Sequence, residues 1–138
     1  MNAEQHAYNE LCYYTLAHGD PAFIHQHVVD AFAAQTADEN TKPIKITFAL
    51  VGLYLHVEKQ FSGRQVQLAH MKLGREKEAW PVFQLPKERG AVTVTNVIAA
   101  PAGAERDEMI QRWCSSVWEA YRDNRRVVAE LLNKHKII

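Results

Sequence analysis

Residues 46–55 read ITFALVGLYL, an apolar run interrupted only by Thr47 and Gly52. As a helix this run rises about 1.5 Å per residue and spans about 15 Å. That is roughly half the ~30 Å hydrocarbon core of a bilayer, so the run is too short to cross one. A helix that is apolar on every side needs neighbours on every side. The run is therefore expected to be the central rod of a helical bundle, and the fold class to be all-α.

The chain has 138 residues, enough to bury a core in one domain (1–138) without disulfide or metal staples. Its two cysteines, Cys12 and Cys114, lie far apart and have no zinc-like spacing. With no targeting segment evident, free thiols and a cytoplasmic location are expected. The 16 basic and 16 acidic side chains cancel, so no overall field draws the chain to nucleic acid or anionic lipid. Neither a membrane nor a nucleic acid is an expected partner. The charge is unevenly placed, because the first 40 residues hold six acids and no Lys or Arg.

Local signals divide the chain into helices. Asn2 with Gln5 opens a first helix over 3–17, which His18 and Gly19 end. Asp20-Pro21 restarts a second helix running to about Ala37. Thr41 and Pro43 open the central helix, which ends near Gln60. Ser62 with Gln65 caps a fourth, running to about Glu78. Pro81, Pro86 and Gly90 make 80–90 an ordered loop. Residues 91–100 alternate like a strand but have no second strand to pair with, so a short helix capped by Thr93 is expected there. A long final helix closes a bundle of about five main helices and one short one.

The words HQHVVDAFAAQ, FALVGLYLHVEKQFSGRQVQLAHMKL, WPVF and TVTNV together resemble a bacterial family of uncharacterised proteins, a domain of unknown function, over roughly residues 8–132. The resemblance implies a mostly helical fold with no assigned activity. It places the family's polar positions on His25, Gln26, Asp30, Gln35, Glu58 and His70. Thr36 stands where many relatives carry a histidine, and a CxxC-like opening found in some is missing here.

No GxGxxG, Walker loop, HExxH, GxSxG or CxxC occurs, and no histidine follows an acid by three as in di-iron bundles. One geometric argument nominates a site. If the second and third helices form an antiparallel hairpin turning near Asn40, His25 and His56 lie at one height. The same count about Ser62 brings His70 to that level within about 3 Å. Glu58 and His27 lie within a turn of it. Neutral imidazoles with a carboxylate suit a Zn, Ni or Fe site or a small ligand. The candidate residues are His25, Asp30, His56, Glu58 and His70, and a divalent metal is the cofactor such a layer suggests. Two other readings stand beside it. The same groups form a buried hydrogen-bond network that fixes helix register. Alternatively the chain is an interaction module, a homodimer built on the final helix and its residues Trp113 and Trp118.

Overall fold

A computed structural model describes residues 2–17, 19–76 and 79–138. Its helices are α1 (Ala3–Ala17), α2 (His25–Gln35), α3 (Pro43–Lys59), α4 (Gly63–Gly74), α5 (Val94–Ala99), α6 (Ala104–Ala120) and α7 (Arg125–Lys134), with a 3₁₀ turn at Arg122–Asn124 before the last. No strand occurs among the described residues. The fold is an all-α bundle, and no described helix is long and apolar enough to cross a membrane.

Helix α3 is the rod around which the others pack. Every residue from Ala49 to Leu55 is buried, and α2, α4, α6 and α7 surround it. Leu50, Val51 and Leu55 are wholly inaccessible. Each such aliphatic side chain contributes about 1.5–3 kcal/mol relative to exposure. Pro43 at the first turn fixes the start. Gln60, at φ 58°, reverses the chain at the other end, and the Phe61 N–H returns to the Leu55 carbonyl at 3.0 Å.

The caps at Ser62 and Thr93 form as complete capping boxes with Gln65 and Asn96. Asn2 accepts from the Gln5 N–H at 2.8 Å, while the Gln5 side chain turns to Asn9. His18 and Glu78, expected to end the first and fourth helices, lie outside the described residues. Helix α4 stops at Gly74.

Two further boundaries differ from expectation. Helix α2 begins at His25 rather than Pro21, because the Asp20 carboxylate accepts from the N–H groups of Ala22 and Ile24 and holds a turn with Phe23 at φ 59°. The Ala22 carbonyl in that turn receives the Arg64 N–H of α4. A side chain on Gly63 would collide with the Phe23 carbonyl, so the turn and the start of α4 are built against each other. The expected single final helix is broken into α6 and α7. Buried Asn124 interrupts it, donating to the Gln84 carbonyl and accepting from the Gln84 N–H at 2.9 and 2.8 Å. That clamp fastens the proline-rich loop to the bundle.

Candidate functional site

Where α2 crosses α3, Gly52 leaves a gap in the apolar run and Asp30 fills it. A Cβ on Gly52 would lie 1.9 Å from Asp30 Oδ2. Asp30 is 3 % exposed. Its Oδ1 accepts from Gln26 Nε2, one helical turn earlier, at 3.1 Å. Its Oδ2 has no hydrogen-bond partner among the described residues. Burial holds the carboxyl pKa well above its ordinary value, and the Gln26 amide opposes this only in part.

Asp30 lines a cavity of about 330 Å³ between α2, α3 and α4. Val29, Ala33, Phe48 and Ala49 form its apolar wall, Gln26, Asp30 and His70 its polar one. Ile44 and Lys45, both exposed, stand at the mouth. The His70 ring stacks on Phe48, centroids 4.9 Å apart, and Nε2–H donates to the Phe48 carbonyl at 2.8 Å. A carbonyl only accepts, so the proton sits on Nε2 and Nδ1 of the neutral ring is an acceptor. Burial pushes the His70 pKa down, with the Phe48 carbonyl opposing. The ring is accordingly neutral at physiological pH.

One turn from Asp30 on α2, His27 stacks face to face on His56 of α3, centroids 3.4 Å apart and planes 17° from parallel. His27 is 4 % exposed, and its Nδ1 has no partner among the described residues. Burial, then the neighbouring His56, pushes its pKa down to about 3, against the attraction of Asp20. The His56 ring nitrogens face two oxygens, the Phe61 carbonyl at 3.0 Å from Nδ1 and Gln111 Oε1 at 2.5 Å from Nε2. These rings border a separate cavity of about 290 Å³.

The remaining candidates are engaged elsewhere. His25 Nδ1 pairs with the Thr15 hydroxyl of α1 at 2.9 Å. Glu58 receives Trp118 Nε1–H at 2.7 Å and Arg125 Nε–H at 2.7 and 3.0 Å, tying α3 to α6 and α7. The three histidines counted at one height thus turn to three different partners: His25 to α1, His56 to the 60s turn and α6, His70 to α3 itself. Two side chains on one helix 200° apart share a level but not a direction, at about 100° per residue. Among the described residues no three His, Cys, Asp or Glu side chains are placed to hold a metal ion. Asp30 and His70 do share a cavity. Lys45 of that cavity was not nominated from the sequence, and Gln26 was named only through the family resemblance, although it stands four residues before Asp30, the spacing of facing helical neighbours. Gly52 stood out in the sequence only as an interruption of the apolar run.

Other polar and aromatic features are structural. Gln35 donates to the carbonyls of Arg89 and Val92 and accepts from Trp113 Nε1–H at 2.8 Å. Trp113 and Trp118 are both buried within the chain, so they present no face to a partner. Cys114 is fully buried, and burial raises its thiol far above the ordinary range, the setting of an inert core cysteine.

Residues 5–122 match a family of unknown function, DUF5946. The chain belongs to that family. The DUF5946 match takes in α1 to α6 and stops within the 3₁₀ turn, so the Asp30 cavity lies wholly inside it and α7 outside. Comparison with curated proteins and with solved structures found no match.

Proposed function

We propose that this DUF5946 chain is a small-molecule-binding bundle whose site is the cavity between α2, α3 and α4. The observation that carries this reading is the make-up of that cavity, an apolar wall of Val29, Ala33, Phe48 and Ala49 beside the polar residues Gln26, Asp30 and His70. The surroundings support the reading. An apolar wall with a few polar groups is the usual make-up of a ligand site, and a volume near 330 Å³ is at the small end of the ~300–1,000 Å³ such sites occupy. It is about twice the ~150 Å³ cavity that accepts benzene in an engineered core.

This narrows the pocket expected from the sequence. Asp30 and His70 belong to it, while His25, His56 and Glu58 are committed to Thr15, Phe61 with Gln111, and Trp118 with Arg125. A small organic ligand suits the pair better than a divalent metal, for which the described residues offer no three-ligand group.

The test is a fragment screen by saturation-transfer NMR on the protein and on Ala33→Trp. Ala33 is half-buried on the cavity wall, so the larger ring fills the site from its edge. Single-ring fragments that bind the parent and are lost from Ala33→Trp support the reading. A screen with no hits, or hits indifferent to Ala33→Trp, overturns it.

A further inference from the structure

The loop between α4 and α5 carries an extended edge to which nothing is paired. Gln84 gives its N–H to the Asn124 side-chain amide and takes an N–H from it, at 2.8 and 2.9 Å. A residue whose N–H and C=O both meet one planar group holds them on one side, as in a β-ladder, so the chain is extended there. Pro86 keeps Leu85 extended as well. In an extended chain the next residue turns its backbone groups to the opposite edge. Among the described residues, neither the N–H nor the C=O of Leu85 has a hydrogen-bond partner. The segment is held in place all the same. Trp80 packs edge-on against Phe48, ring centroids 5.6 Å apart, and Arg89 ties the far end to the carbonyls of Pro86, Gln35 and Ala37.

Leu85 borders a groove of about 250 Å³ that shares no lining residue with the cavity between α2, α3 and α4. Pro43, Ile46, Pro81 and the buried Phe83 make it apolar, and Val82, 93 % exposed, stands beside the exposed Leu85. Among the described residues its charged lining is Asp38 and Glu39, the last acids of the base-free first 40 residues. Glu39 is exposed and has no partner among the described residues. Asp38 has Oδ1 engaged by the Asn40 N–H and the Thr41 hydroxyl, at 2.8 and 3.5 Å, which leaves Oδ2 open.

We infer that this edge takes up an extended, basic and apolar segment of another protein. One residue of the segment exchanges both backbone hydrogen bonds with Leu85, adding a strand to the open edge. Alternate apolar side chains of the segment enter the groove, and its lysine or arginine reaches Glu39 and Asp38. Charge complementarity selects the basic segment, because an acidic one meets like charge at the same place. Pro81 and Pro86 bracket the open stretch, and proline cannot donate to a ladder, so one short segment fits where a larger sheet cannot grow. The pinned loop has little conformational freedom left to lose on binding.

Fluorescence anisotropy with three labelled peptides tests the inference: Lys-Ser-Leu-Ser-Leu-Ser-Lys, the same peptide with glutamate at both ends, and the lysine peptide N-methylated at every residue between its ends. The lysine peptide is expected to bind about tenfold tighter than either of the others. Two variants probe the protein side. Glu39→Lys reverses an exposed charge, and Leu85→Pro removes an N–H that bonds to nothing in the fold. Each is expected to weaken the lysine peptide about tenfold, with an unchanged circular-dichroism melt. Should Leu85→Pro not fold, the N-methylated peptide on the unaltered protein decides the backbone pairing. Equal binding of the lysine and glutamate peptides, undiminished binding of the N-methylated one, or no binding of the lysine peptide up to about 1 mM overturns the inference. Self-association by sedimentation that Glu39→Lys abolishes assigns the groove to a second copy of the chain and overturns it too.

Discussion

The Asp30 carboxylate rests on Gly52: a Cβ there would come within 1.9 Å of Oδ2 and 3.2 Å of Val66. A glycine inside a helix normally costs about 1 kcal/mol against alanine, so this one is retained for the room it leaves. Gly52→Ala is expected to destabilise the fold by about 1–3 kcal/mol, the range for overpacked cores. Combined with Asp30→Ala, the same change is expected to cost markedly less, with a coupling of about 1 kcal/mol or more. Urea denaturation of the four proteins measures this, and strictly additive costs contradict the contact.

Asp30 also sets a pH dependence. Its folded pKa is raised above the unfolded value of about 3.9, so the folded chain holds the proton more tightly. Stability from this group is full below the unfolded pKa and is lost as pH climbs towards the folded one. The difference in unfolding free energy between the protein and Asp30→Asn is expected to fall with rising pH above about 4, by up to ~1.4 kcal/mol per unit. A flat or rising difference counts against a buried protonated carboxyl.

His27 acts with the opposite sign. Its folded pKa of about 3 lies below the unfolded value of ~6.5, so its contribution is full above the unfolded pKa and drains away as pH falls. Between pH 7.5 and 5 the loss is about 2 kcal/mol. His27→Phe keeps a ring against His56 and is expected to abolish that share of the acid sensitivity, leaving the smaller shares of His25 and His70. An acid profile unchanged in His27→Phe contradicts the assignment.

Glu58 holds helices together and takes no part in the cavity. Trp118 is 4 % exposed and gives its indole N–H to Glu58. Glu58→Ala strands that donor and is expected to cost about 1–3 kcal/mol without altering the affinity of fragments that bind the cavity between α2, α3 and α4. A drop in affinity in folded Glu58→Ala places Glu58 back in the site.

What the sequence made legible was local. The caps at Asn2, Ser62 and Thr93 involve residues three apart, and the burial of 46–55, all but the half-buried Phe48, follows from its composition alone. What it hid depended on distant partners. The turn that Asp20 holds before α2 is fastened by the Ala22–Arg64 contact, and the break after α6 by Asn124 gripping Gln84. Counting residues from each turn gave heights along the rods, and heights brought α2 against α3 correctly. Azimuth was the missing coordinate. It sends His25 to Thr15 and pairs His27, two residues on, with His56.

The central claim is tested most directly by a crystal structure with 4-bromobenzyl alcohol and anomalous data at the bromine edge. The account predicts bromine between Val29, Ala33 and Phe48. An unfilled cavity at saturating ligand, or bromine placed only on the acidic surface around Asp38 and Glu39, contradicts it.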